Sequence, residues 1–237
     1  MERRTREASR LAQFLRKRGR PLPWPGAEPP DGRFFLEAGE LGLWEWRRPF
    51  PPGGRPWVAL DLETTGLSPA RDAITEIAVV RLEGGEPRAF ATLVRPHRPI
   101  PPRVERLTGI TNELVRDAPP LEEALEAALP MLKDAVWVIQ NAGFDLGFLA
   151  PALARLGVRM EPDVVDTLVL ARRGLPGLRS YRLARLAEVL GWEGEGRHHR
   201  ARADAEAALW VARELYYLLG RGRPLALEAL CRKPSIP

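Results

Sequence analysis

A chain of 237 residues that is 45% hydrophobic and 28% charged has room for one buried core plus an appendage, and its composition is ordinary for a globular protein. No apolar run is long enough to span a bilayer, the N-terminus lacks the apolar stretch of a signal peptide, and a single cysteine, Cys231, excludes an intrachain disulfide, so a cytoplasmic protein without membrane contact is expected. A net charge of +5 and a pI near 9.9 favour a polyanionic partner, although only three of the 36 basic residues are lysines and a genome rich in G and C gives the same arginine bias.

Three regions follow in chain order. Residues 1–55 read as an appendage: a basic segment to Arg20 with Leu11, Phe14 and Leu15 at helical spacing, a proline-rich linker over Pro21–Pro30, and a tryptophan-rich hairpin. The hairpin strands are Phe34-Phe35-Leu36 and Leu43-Trp44-Glu45-Trp46, around Ala38-Gly39-Glu40 and Gly42. Four of the seven tryptophans fall at or before Trp57, and such side chains are expected to pack on the main domain.

The main domain is expected over residues 56–220. Trp57–Glu63 reads as a strand, followed by Ile74–Leu82 and Arg88–Arg95, which join across Glu83-Gly84-Gly85-Glu86 and so run antiparallel. Beyond the prolines of Pro99–Pro102, the segment Leu121–Leu132 sets Leu121, Leu125, Ala128, Leu129 and Leu132 on one helical face. Ala135–Gln140 is a fourth strand, Phe144–Leu156 a helix, Val164–Leu170 a strand or a strand running into a helix, and Tyr181–Leu190 and Ala203–Leu219 helices. Three antiparallel strands followed by helix–strand–helix–strand describe an α/β fold with a mixed sheet flanked by helices. Residues 221–237 form a tail, with one short helix over Leu225–Leu230.

The chemistry concentrates in a few acids. Asp61-Leu62-Glu63-Thr64-Thr65-Gly66 closes the apolar run Trp57-Val58-Ala59-Leu60. Residues two apart share a strand face, so Asp61 and Glu63 stand side by side while Leu62 turns back into the core. Two adjacent carboxylates repel unless a cation or shared proton compensates, and oxygen ligands of this kind suit magnesium or manganese. A solvated strand end is the plainer alternative for the pair alone. Asp145 follows the fourth strand at a helix start, in Gln140-Asn141-Ala142-Gly143-Phe144-Asp145, and Asp204 opens the last helix behind His199-Arg200-Ala201-Arg202-Ala203. His199 lies five residues ahead of Asp204, about 140° around an α-helix, so one continuous helix cannot aim both at one point. Gly194-Glu195-Gly196 supplies a flexible lead-in.

In order, Asp-x-Glu-Thr-Thr-Gly, Asn-Ala-x-Phe-Asp and His-Arg-Ala-x-x-Asp resemble the three motifs of the DEDDh (DnaQ-like) exonuclease family, which includes the proofreading epsilon subunit of bacterial DNA polymerase III. Leu107-Thr108-Gly109-Ile110-Thr111 and Asp166-Thr167-Leu168 extend the likeness over roughly Trp57 to Leu219. The resemblance implies a ribonuclease H-like fold and 3′–5′ hydrolysis of single-stranded DNA ends to nucleoside monophosphates. It assigns two magnesium or manganese ions to Asp61, Glu63, Asp145 and Asp204, and the proton of the attacking water to His199. A tyrosine subclass would need tyrosine where Arg200 stands. Thr64, Thr65, Leu67, Thr108, Asn141 and Phe144 are implied to bind the terminal nucleotide. Gln140 departs from the histidine that many relatives carry there, which implies a modest shift in substrate preference. Proofreading beside a replicative polymerase subunit is the role expected. A free-standing DNA-repair or RNA-trimming exonuclease stays open within the enzyme class, and a catalytically silent module that binds nucleic-acid ends or a polymerase stays open outside it.

Overall fold

A computed structural model describes residues 54–83, 87–192, 200–220 and 225–231, together with the backbone of 34–37 and 40–43. The basic N-terminal segment, the first linker, His199 and the glycines before it lie outside these residues. The hairpin is present as β1 (Phe34–Glu37) and β2 (Glu40–Leu43), paired antiparallel with Glu37 opposite Glu40. Its second strand is described over Glu40–Leu43; of the expected strand Leu43-Trp44-Glu45-Trp46, the last three residues lie outside the described residues. Trp57 lies in the core at 0% exposure; the tryptophans before it fall outside the described residues.

A five-stranded sheet organises the rest. β3 (Trp57–Thr64), β4 (Ile74–Leu82) and β5 (Arg88–Leu93) run antiparallel, while β6 (Val136–Ile139) and β7 (Asp163–Asp166) run parallel to β3, in the order β5-β4-β3-β6-β7. This is the mixed sheet anticipated from the pattern, in the ribonuclease H-like form that the resemblance implies. Because β3, β6 and β7 are parallel, their C-terminal ends open onto one edge.

Strand alternation divides the core in two. Val58, Leu60, Leu62, Ile77, Val79 and Trp137 face α2 (Leu121–Leu132) and α3 (Ala142–Arg155). Trp57, Ala59, Ala78, Val80 and Val138 face α4 (Thr167–Gly174), α5 (Leu183–Val189) and α6 (Ala201–Gly220). Asp61 and Glu63 continue the Trp57/Ala59 parity and so look toward α6. That helix turns Ala201, Asp204, Ala205, Ala208 and Ala212 inward, and its short side chains let it lie close across β3 and β4.

One helix was not anticipated. α1 (Pro102–Thr108) begins directly on a proline and ends at Gly109, whose φ is 73°. Proline is favoured at the first helical position because its missing N–H is unpaired there in any case, so the proline cluster starts a helix rather than forbidding one. Ile100, Val104, Ile110 and Val115 bury together beside it. The tail departs from its expected helix too: only Leu227–Ala229 form a single 3₁₀ turn, with Leu230 buried and Leu225 and Cys231 packed on the α4–α6 side. Burial pushes the Cys231 thiol up to about 12, so it remains protonated and inert at neutral pH. Among the described residues no helix is long and apolar enough to cross a membrane.

Candidate active site

β3 delivers the first two acids. Its parallel ladder to β6 ends at Ala59 opposite Val138, while its antiparallel ladder to β4 continues past Glu63 opposite Glu76 to a register shift at Thr64. The strand end thus projects beyond β6 with its α6-facing side occupied by carboxylates. Asp204, one turn into α6, comes down on them. One carboxylate oxygen each from Asp61, Glu63 and Asp204 lie within 4.8 Å of one another.

Asp145 closes the group from the other side. α3 starts immediately after β6, so its first turn sits at the same sheet edge, and Asp145 Oδ1 accepts the Leu62 N–H at 3.1 Å, an amide past the end of the β6 ladder. Asp145 is itself buried, 3% exposed. The four acids that sequence spreads over more than 140 positions therefore meet at one strand end.

Their electrostatics are unfavourable as they stand. Burial, then the neighbouring Asp145, Asp204, Glu63 and Glu76, hold the Asp61 carboxyl well above the usual carboxylate range. Glu63 is pushed up to about 8 by burial and then by Asp204, Glu76 and Asp145, with Arg200 opposing. Burial also raises Asp145 to about 8, against the pull of its bond from the Leu62 N–H. Among the described residues no hydrogen bond reaches the Asp61 or Glu63 carboxylates. Clustered hard oxygens, desolvated and short of positive charge, are a donor set that a divalent cation would complete.

The turn after β3 is rigidly held. Asp72 accepts from the Ser68 N–H, the Thr65 hydroxyl and Arg98, and the Thr65 hydroxyl in turn accepts the Ala73 N–H. A Cβ on Gly66 would stand 2.5 Å from the Asp72 carboxylate, so this position admits only glycine without displacing the turn. Thr64 and Thr65 are consequently buried, with the Thr64 hydroxyl bonded to the Gly66 carbonyl. Leu67, by contrast, is 78% exposed in the turn that follows β3. Phe144, half-buried, rests against Phe148 with ring centroids 5.3 Å apart.

Asn141 is exposed and caps α3 in the left-handed region at φ 61°, a conformation asparagine tolerates. Thr108 is buried, and its hydroxyl is taken up by the Val104 carbonyl and the Ile110 N–H at the end of α1. Gln140 is likewise engaged by the fold, donating to the Tyr181 carbonyl and accepting from Thr167. Arg173 binds the Ala229 carbonyl and Arg172 lies over the Tyr181 ring, so neither is a bare surface cation.

Two supporting acids are not recognisable from sequence as parts of the site. Asp166 accepts the N–H groups of Asn141, Ala142, Leu168 and Val169, and so ties the starts of α3 and α4 to the strand ends. Its role as a cap for the following helix is legible in sequence; its hold on the Asp145 helix is not. Glu76, only 3% exposed in β4, binds Arg200 and the Ala201 N–H. An acid inside the otherwise buried apolar run Ile74–Val80 is the signal that could have found it.

A mixed five-strand sheet with carboxylates converging at the ends of its parallel strands defines a ribonuclease H-like nuclease, a phosphodiester hydrolase. The chain belongs to the RNase_T exonuclease family, whose model, described as "Exonuclease", matches residues 58–212. It is 41% identical over 152 residues to a DNA polymerase III of PolC type from Caldanaerobacter subterraneus, covering 64% of this chain and 11% of that protein. It is 38% identical over 153 residues to the 3′-5′ exonuclease DinG of Bacillus subtilis, covering 64% of this chain and 16% of that one. The chain therefore corresponds to a small part of these relatives' length. A solved structure of exonuclease X with 5′-overhanging duplex DNA superposes with a TM-score of 0.58 at 28% identity, over 73% of this chain and 96% of that one. Exonuclease I of E. coli with a dA16 oligonucleotide shares the fold, with a TM-score of 0.55 at 24% identity over 68% of this chain and 40% of that one.

Proposed function

We propose that residues 56–220 form a metal-dependent 3′–5′ exonuclease that removes nucleoside monophosphates from single-stranded DNA ends. The observation that carries this reading is the meeting of Asp61, Glu63 and Asp204 within 4.8 Å, with Asp145 completing the acidic set and other acids, rather than cations, surrounding Asp61. Asp61, Glu63 and Asp204 hold the divalent ions, two in number, and Asp145 joins them. Such ions supply Lewis-acid charge to the scissile phosphate and a more acidic water. His199, in the motif that leads into α6, takes that water's proton, work suited to imidazole near neutral pH. Leu67 and Phe144 press on the terminal base, Asn141 offers its exposed amide, and the backbone around Thr64 and Thr65 meets the sugar. Thr108 supports this pocket from behind, since its hydroxyl is already bonded. Contacts to phosphate, sugar and the flat base face give little sequence preference.

Proofreading beside a polymerase is the role we favour, supported by the likeness to PolC-type polymerases. A free-standing exonuclease is the second reading, supported by the likeness to exonuclease X, 96% of whose chain the match covers. The test is digestion of 5′-labelled DNA with magnesium or manganese, with matched RNA, circular DNA and 3′-blocked DNA alongside. Stepwise shortening from the free 3′ end, absent in Asp61→Ala, is expected. Cutting inside the circle, or binding without shortening, would overturn the assignment. Stimulation by an added polymerase subunit separates the two roles.

A further inference from the structure

The buried acid of β4 takes no part in binding the ions or in moving the water's proton. Glu76 stands directly across the ladder from Glu63 and shares its face, yet its environment is different. Arg200 grips it with two bonds, Nη2 to Oε1 at 2.9 Å and Nε to Oε2 at 3.2 Å, and the Ala201 N–H donates to Oε2 at 3.0 Å. Both oxygens are thus engaged by the fold, and Glu76 is not among the acids whose oxygens gather within 4.8 Å, despite its position beside them. Ala201 is the first residue of α6, and Asp204 lies three residues on, along the same buried stripe. A helix start leaves its first N–H groups without intrahelical partners, so a carboxylate there both satisfies one and favours the positive end of the helix.

We propose that Glu76 is a positioning residue: by binding Arg200 and the Ala201 amide it fixes the start of α6 against β4, so that Asp204 meets Asp61 and Glu63 at ion-binding separation. The geometry makes the case: the bonds bridge 124 and 125 positions of sequence and join α6 to the sheet at the level of Glu63. An isolated buried glutamate would be strongly unfavourable, whereas this one is paired and hydrogen-bonded on both oxygens. Carboxylates that orient metal ligands without touching the metal commonly contribute 10–100-fold to metal affinity or activity.

This inference rests on the reading of the acidic cluster as an ion site, and the experiment separates the two. The full chain is titrated with manganese, following the rise in Tm and, in parallel, the rate of single-stranded DNA shortening. Wild type and Asp61→Ala come first: a wild-type protein that neither gains stability nor shortens DNA removes the ion site itself. With that in place, Glu76→Ala is expected to need about 10–100-fold more manganese by both readouts, with KM for DNA unchanged and the rate largely recovered at saturating manganese. Glu76→Gln, which keeps an acceptor for the Ala201 amide, restores part of the affinity. Should Glu76→Ala fail to fold, Arg200→Lys decides, since a half-exposed lysine keeps the charge but cannot grip both oxygens; about a 3–10-fold increase in manganese requirement is expected. A lower Tm in EDTA with unchanged manganese dependence would reduce Glu76 to a structural residue, and a raised KM for DNA would make it a substrate contact. Either result overturns the proposal.

Discussion

Two groups of acids lie at the same end of the sheet and are treated differently by the fold. Asp72, Asp166 and Glu76 each collect several donors: hydroxyl, amide and arginine for the first, four amides for the second, arginine and a helix amide for the third. Asp61 and Glu63 collect none among the described residues and face other acids. The first group turns charge into architecture, since each carboxylate ties a loop or helix start to the sheet. The second concentrates charge that the protein itself does not neutralise. Buried carboxylates need either a partner from the fold or one from outside, and the contrast marks which acids are reserved for a ligand.

That contrast can be broken most severely at its centre. Asp61→Ala is expected to abolish 3′ shortening, a loss of about 10⁴-fold in rate measured on labelled DNA, because several kcal/mol of charge stabilisation depend on the ions it holds. His199→Ala should lower kcat by about 10²–10³-fold while KM stays near wild type. An unchanged kcat would remove it as the base.

The structural acids carry a different signature. Asp166→Ala leaves four N–H groups without their acceptor and should cost about 2 kcal/mol in urea unfolding. A variant of wild-type stability would deny that Asp166 is architectural.

The clustered acids also set a pH dependence of opposite sense to that of an ordinary salt-bridged carboxylate. Glu63 rises from 4.5 and Asp145 from 3.8, both to about 8, so the native state holds protons that the unfolded chain has released. Stability from these groups is complete at low pH and is lost as pH rises through the folded values. In EDTA, Tm should therefore fall between about pH 5 and about pH 8, and manganese should reverse the fall. A flat or rising Tm over that window would contradict the raised carboxyls of Glu63 and Asp145. The smallest effect is expected at the surface: Leu67→Ala should leave stability within about 0.5 kcal/mol but raise KM for single-stranded DNA by roughly fivefold, from about 1 kcal/mol of lost apolar contact.

What the chain reveals on reading follows the range of the interactions. The strand Ile74–Leu82 and the helix Leu121–Leu132 emerge with the boundaries that apolar periodicity gives them, because both are set by burial along one segment. The Asp61/Glu63 pair is legible for the same reason, as alternation at the end of an apolar strand. Their convergence with Asp145 and Asp204 depends on β3 lying between β4 and β6, which no local pattern encodes; the motif resemblance supplied it. Glu76 could be seen as an odd acid in a core strand, but its partner Arg200 lies 124 residues away. α1 is hidden by prolines that read as breakers and act as a helix start, and the tail is shortened to one turn where Leu230 reaches the core.

The most direct measurement is anomalous diffraction from crystals of the wild-type chain soaked in manganese. Density for ions is expected among the Asp61, Glu63 and Asp204 carboxylates, and its loss in Asp61→Ala. Wild-type crystals that bind no ion there, from protein that still shortens DNA with manganese, would contradict the reservation of these acids for a cation.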